Sequence, residues 1–136
     1  MAVTYLNLPL VHRYDIWSGD IEVPAKLIAG THEVDLVAKI DTGSTFCLFG
    51  REHAAELGLT LEDGERLRIQ SVNGGFTAYG HELTIRVLDI EHAAIVYFYA
   101  DDNFGRNVLG RRGWLDRVRL GIVDHDSELY LAPYND

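Results

Sequence analysis

The stretch Ala38-Lys39-Ile40-Asp41-Thr42-Gly43-Ser44-Thr45 decides how this chain is read. Val34, Leu36, Val37, Ala38 and Ile40 lead into it, and this near-continuous apolar run predicts a strand from Glu33 to Ile40 buried on both faces. An acid then arrives where burial should be deepest. An isolated carboxylate there would cost several kcal/mol or take up a proton. The residues after it can manage that cost. Gly43 lets the backbone turn sharply and approach another segment. Thr42 and Ser44 bring hydroxyl donors that favour the ionised acid and fix its rotamer. Asp-Thr-Gly is also an ordinary turn, in which the Asp side chain bonds its own backbone. The flanks separate the two readings: Phe46-Cys47-Leu48-Phe49 follows directly, a third short strand, and a surface turn rarely has apolar runs on both sides.

Outward from this point the chain alternates short strands with turns. Ile21 to Ile28 alternates roughly and turns back at Gly30-Thr31 to meet the central strand. Ser18-Gly19-Asp20 is a turn. Upstream, Thr4 to Val11 has strand-like composition, but Pro9 confines it to an edge or an arm. Downstream, Arg51 to Leu57 reads as a short helix stopped by Gly58. After the turn at Asp63-Gly64, Glu65 to Val72 alternates cleanly. Asn73-Gly74 predicts a type I′ hairpin with positive φ at both residues. Phe76 to Leu88 returns as a strand interrupted near Gly80, and Ala93 to Ala100 is another. Arg117 to Val123 and Glu128 to Ala132 form a last hairpin around Asp124-His125-Asp126-Ser127. Scarce helix and recurrent short strands predict an all-β chain, a small barrel or sandwich.

The totals narrow the function. A chain of 136 residues is expected to form one domain, 1–136, with residues 1–19 as an N-terminal arm. Its formal net charge of −9 opposes phosphate backbones, and Arg111-Arg112 is the one basic cluster, so nucleic acid is not an expected partner. The single cysteine, Cys47, rules out an intrachain disulfide and reads as a small core residue. No long apolar run predicts a membrane span, and no signal peptide is legible, so a cytoplasmic location is expected. His12, His32, His53, His81, His92 and His125 show no metal-ligand spacing, so no metal is expected. Asp101-Asp102-Asn103 and Asp124-His125-Asp126 read as solvated turns. Ser44 lacks the Gly-x-Ser-x-Gly setting of a nucleophile.

Lys39-Ile40-Asp41-Thr42-Gly43-Ser44 resembles the active-site motif of aspartic peptidases, specifically the single-domain retropepsin-like ones. Asn107-Val108-Leu109-Gly110-Arg111 resembles their apolar-apolar-Gly-Arg segment, with Arg112 to Asp116 standing where a short helix would follow. Val72-Asn73-Gly74-Gly75-Phe76 stands where that family has its glycine-rich flap. The three elements occur in the family's order, over roughly Ile21 to Leu131. The resemblance implies a small closed β-barrel of the retropepsin type with one or two short helices. It implies an aspartic endopeptidase that needs no cofactor and acts on a peptide or protein substrate. Asp41, Thr42, Gly43 and Ser44 would form the catalytic loop: Thr42 bonding across a two-fold axis, Ser44 supporting Asp41, and the backbone near Gly43 meeting substrate. Leu109, Gly110 and Arg111 would support that loop from behind. Asn73, Gly74, Gly75, Phe76 and Tyr79 would close over an extended peptide, although Phe76 and Tyr79 serve equally well as sheet-packing aromatics.

Metal-free peptide hydrolysis needs a base and an acid on one water. Two adjacent carboxylates sharing one proton provide both, and aspartic proteases are the reference case of that pairing. The chain holds one such motif, so the second carboxylate must come from a second copy of Asp41 in a homodimer. Retroviral members of the family follow the motif with acids that bind substrate and pair with the later arginine. Thr45 and Phe46 stand there instead, which leaves Arg111 without that partner. Leu129-Tyr130-Leu131 would serve either as a terminal interface strand or as an ordinary edge. The alternative to the enzyme is a non-catalytic retropepsin-fold module for peptide binding or assembly.

Overall fold

The computed structural model describes residues 2–102 and 105–135. Asn103, part of the acidic turn expected at Asp101-Asp102-Asn103, lies outside them. Among the described residues ten strands run in the order β1 (Leu10–Arg13), β2 (Glu22–Ala29), β3 (His32–Ile40), β4 (Leu48–Phe49), β5 (Glu65–Ser71), β6 (Gly74–Val87), β7 (Ile90–Tyr99), β8 (Val108–Leu109), β9 (Val118–Val123) and β10 (Glu128–Pro133). One short helix, α1 (Arg51–Glu56), follows β4. It stops where Gly58 takes the left-handed φ of +73°.

The larger sheet has the order β2-β3-β8-β4-β7-β6-β5. A further β2–β6 pairing, through Lys26 to Ile28 and Thr84 to Arg86, returns the sheet to its first strand. The strands β2, β3, β8, β4, β7 and β6 thus follow one another in a ring, with β5 outside it on β6. This is the architecture expected of a small β-barrel with little helix. The smaller sheet, β1-β10-β9, packs Leu129 and Leu131 into the same core. Val23, Leu27, Phe49, Ile85, Val96, Phe98, Leu109 and Trp114 are fully buried in it. Each large apolar side chain so placed contributes about 1.5–3 kcal/mol.

Several expectations are corrected. The strand β3 buries one face, not two: Val34, Leu36, Ala38 and Ile40 point inward, while Val37 is 54% exposed. Strand periodicity overrides the apolar run, because successive side chains alternate between faces. The strand β6 runs unbroken through Gly80. A Cβ there would stand 2.8 Å from Tyr97 Cε1, so that glycine serves close packing and does not interrupt the strand. The β5–β6 hairpin is not a type I′ turn at Asn73-Gly74. Ser71 pairs with Gly74, Val72 and Asn73 form the turn, and Gly74 alone of these takes positive φ, +110°. The Ser71 hydroxyl donates to the Gly74 carbonyl at 2.6 Å and closes the hairpin one residue early.

Positive φ at both residues of a two-residue turn occurs instead at Leu88-Asp89 (46° and 69°), between the paired Val87 and Ile90. The segment Arg112 to Asp116 forms no α-helix. Only the single 3₁₀ turn Leu115–Arg117 follows. Leu129-Tyr130-Leu131 is neither edge nor free interface strand, since β10 lies between β1 and β9. Among the described residues no helix is long and apolar enough to cross a membrane.

Candidate functional site

Asp41 is the first residue beyond β3, and parallel pairing with β8 aims it. Lys39 and Ile40 align with Val108 and Leu109, and the Asp41 N–H donates to the Leu109 carbonyl at 3.0 Å. The chain then turns tightly. The Ser44 N–H donates to the Asp41 carbonyl at 3.2 Å, and the Gly43 N–H donates to Asp41 Oδ1 at 2.9 Å. The acid is half-buried and not sunk in the core as its position after an apolar strand predicts. Its carboxylate thus keeps both a fixed donor and access to solvent.

The hydroxyls behave differently from expectation. Ser44 Oγ donates to the Phe46 carbonyl at 2.7 Å, so it braces the loop and not the acid. Thr42 is exposed. The donor on Asp41 is a backbone amide, which no side-chain inventory reveals.

The 108–112 segment holds the loop from behind. The Arg111 and Arg112 N–H groups donate to the Ser44 and Thr45 carbonyls at 2.9 and 2.8 Å. A Cβ on Gly110 would lie 2.1 Å from the Phe46 carbonyl oxygen and 2.8 Å from that of Ser44, so only glycine fits between the two strands. Beneath them Cys47 is fully buried. Burial pushes its thiol from 9.0 to about 12; the Gly110 contact works against that rise and the Asp116 charge adds to it. Asn107, just before β8, makes three bonds that tie β3 to Gly50 at the start of α1. Its carbonyl accepts from Lys39 N–H at 2.9 Å, its side-chain oxygen accepts from Gly50 N–H at 3.0 Å, and its amide donates to the Val37 carbonyl at 3.3 Å. Sequence reasoning gave Asn107 no role. Its place before Val108-Leu109-Gly110 was the only signal.

Asp41, Gly43 and Ser44 open onto a groove of about 860 Å³ between the loop and the β5–β6 hairpin. Leu67, Ile69, Val72 and Phe76 line its hairpin side, and Phe46 and Leu48 line its floor. A separate apolar cluster (Leu48, Ala78, Tyr97, Tyr99 and Val108) lies under it. Phe46 meets Tyr97 edge-on at 4.9 Å, and Phe76 meets Tyr99 at 5.4 Å between ring centroids. Burial raises the Tyr99 phenol; the Arg106 charge opposes that, and the Asp41 charge reinforces it. Of the five expected flap residues, only Phe76 lines this groove. Asn73 and Gly74 are exposed at the tip, Gly75 lies against Arg68 and Gln70, and Tyr79 packs on the main core. Leu67 and Ile69 were missed as lining residues, although their alternation along β5 marks one apolar face. Among the described residues no group of three or more His, Cys, Asp or Glu side chains is placed to hold a metal.

A profile of the aspartyl protease family matches residues 23–113, more than half of the chain. No curated protein sequence matches it. Among solved structures, the crystal structure of a retropepsin-like aspartic protease from Rickettsia conorii superposes with a TM-score of 0.65. The match covers 94% of this chain and 100% of that one at 19% identity, a likeness of fold. The matched span holds both the Asp41 loop and the Gly110 segment that grips it, and on that span the chain belongs to the aspartyl protease family, with a retropepsin-like fold.

Proposed function

We propose that the chain is a single-domain aspartic endopeptidase that works as a homodimer, with one Asp41 from each copy. The observation that carries this reading is the setting of Asp41: its carboxylate is held by the Gly43 N–H at 2.9 Å, and among the described residues it is the one acid lining the apolar groove of about 860 Å³. One carboxylate cannot serve as both base and acid on the same water. A two-fold axis beside the loop supplies its twin, and the exposed Thr42 is positioned in sequence to bond across that axis.

In such a pair one proton is shared. The ionised carboxylate takes a proton from water as the water oxygen bonds to the scissile carbonyl carbon. The protonated carboxyl gives its proton to the carbonyl oxygen. The tetrahedral diol then collapses: the carboxyl that took the water proton gives it to the leaving nitrogen, the C–N bond breaks, and the other carboxylate takes a proton from one diol hydroxyl as the carboxylic acid forms, which leaves one shared proton on the pair. The apolar groove would hold an extended peptide, with alternate side chains against Leu67, Ile69 and Phe76 and the peptide backbone along the edge of the hairpin. Closure of the β5–β6 hairpin would exclude water from the pair.

A peptide-library digest with wild type and Asp41→Asn side by side tests this. The wild type should cleave, and the Asn variant should stay folded and dimeric but cut nothing. Cleavage retained by the Asn variant refutes the assignment. Peptide binding by both proteins with no cleavage by either would support the non-catalytic module instead.

A further inference from the structure

The turn that follows β8 is gripped from a second side. Gly113 takes the left-handed φ of +102° and passes close over β7, where a Cβ on it would stand 3.3 Å from the Ile95 carbonyl oxygen and 3.5 Å from Ala94 Cβ. Two side chains hold its polar groups. Its N–H donates to Asp116 Oδ1 at 3.0 Å, and its carbonyl meets His92 Nε2 at 2.7 Å. A carbonyl only accepts, so Nε2 carries the hydrogen and donates it. His92 sits in the ladder between β6 and β7, opposite Ile85, and so offers a rigid base. Its other ring nitrogen, Nδ1, is buried and has no hydrogen-bond partner among the described residues. A buried nitrogen left unmatched is a cost that a leucine here would avoid. Packing therefore gives no reason for a histidine, and the Gly113 bond does. The same turn lends the Arg111 and Arg112 amides to the Ser44 and Thr45 carbonyls of the Asp41 loop.

We propose that His92 is a positioning residue for the reaction: by holding the Gly113 carbonyl it fixes the 110–116 turn, and through the Arg111 and Arg112 amides it fixes the Asp41 loop. The proposal rests on the peptidase reading above and adds a residue to it. The chain of contacts is short. His92 holds Gly113, the two residues before Gly113 hold Thr45 and Ser44, and the Ser44 N–H donates to the Asp41 carbonyl at 3.2 Å. Trp114, fully buried next to Gly113, pins the turn in the core by packing, which sets its depth but leaves the peptide planes free to tilt. A directional bond to the Gly113 carbonyl removes that tilt. A carboxyl pair tolerates little misplacement, because acid and base must both reach one water. His92 does not line the groove, so it acts on Asp41 only through backbone.

The test compares His92→Leu, which removes the donor, with His92→Gln, whose side-chain amide can reach the same carbonyl. Amide hydrogen exchange is followed by NMR, and kcat and KM are measured at protein concentrations where activity per chain no longer rises. In His92→Leu the Arg111 and Arg112 amides should exchange about tenfold faster while those of β2 and β3 keep their rates. In the same variant kcat should fall about tenfold, with KM within about twofold of wild type. His92→Gln should recover most of both. If His92→Leu does not fold, His92→Asn, polar but too short to reach Gly113, takes its place. Faster exchange at all amides together, or at none, overturns the proposal, because burial of Trp114 alone would then hold the turn. An unchanged kcat, or an equal loss in the Leu and Gln variants, also overturns it. If wild type cleaves nothing, faster exchange confined to Arg111 and Arg112 and reversed by Gln would uphold the grip of His92 on the Asp41 loop while the peptidase reading fails.

Discussion

A methyl group at Gly110 would stand 2.1 Å from the Phe46 carbonyl oxygen, a distance at which backbone must move. Gly110→Ala should therefore push the 108–112 segment off the Asp41 loop, losing the amides that Arg111 and Arg112 lend it. A loss of about 3 kcal/mol or more in urea unfolding is expected, with activity falling further than stability explains. A loss under about 0.5 kcal/mol would show that the two strands are not locked by that contact. Cys47 is the second residue-scale case. Its thiol is buried and raised from 9.0 to about 12, above its unfolded value. Its contribution to stability is full below pH 9 and is lost as pH rises from there towards 12. Alkaline unfolding should accordingly be less steep in Cys47→Ala than in wild type, and thiol reagents should label Cys47 only as the chain opens. Fast labelling of the native protein at neutral pH would contradict this.

Asp41 and Gly110 were legible because glycine, acid and apolar neighbours sit within a few residues of one another. The bond from Ser44 to Phe46 was not, because a hydroxyl has several acceptors within reach and sequence does not say which one it takes. Nor was the meeting of Thr45 with Arg112, which depends on the parallel run of β3 beside β8.

Among the elements, the two hairpins of β6 show where turn chemistry can mislead. Asn73-Gly74 carries the stronger signal for paired positive φ, yet Ser71 closes that hairpin early and leaves only Gly74 with positive φ. Leu88-Asp89 has no such signal and adopts the geometry anyway. Ten residue pairs between β6 and β7, from Ala78↔Tyr99 to Val87↔Ile90, fix the register and override local preference, and Leu88 packs on the core. Asp89, exposed at φ 69°, is then a strained site that glycine would relieve. Asp89→Gly should raise stability by about 0.5–1 kcal/mol in urea unfolding, and a decrease would mean that the Asp side chain itself holds the turn. The alternation of β5 did place Leu67 and Ile69 on one face. What it could not place was the loop they face, because the pairing of β5 with β6 says nothing about β3.

At the scale of the whole molecule, the β-barrel follows from many short strands, and strand count alone left barrel and sandwich equal. The β2–β6 pairing distinguishes them, and it joins residues as far as sixty positions apart (Lys26 with Arg86) that no local pattern connects. The same scale governs function, since one chain brings one Asp41 to the groove. Activity should be confined to acidic and near-neutral pH, where a carboxyl pair keeps its shared proton, and a pH–rate profile that climbs steadily into alkali would contradict the pair. The most direct measurement co-refolds wild type with Asp41→Asn at varied ratios and follows cleavage at constant total protein. If each site needs Asp41 from two copies, activity falls as the square of the wild-type fraction. A linear fall, one active site per wild-type chain, would contradict the shared pair.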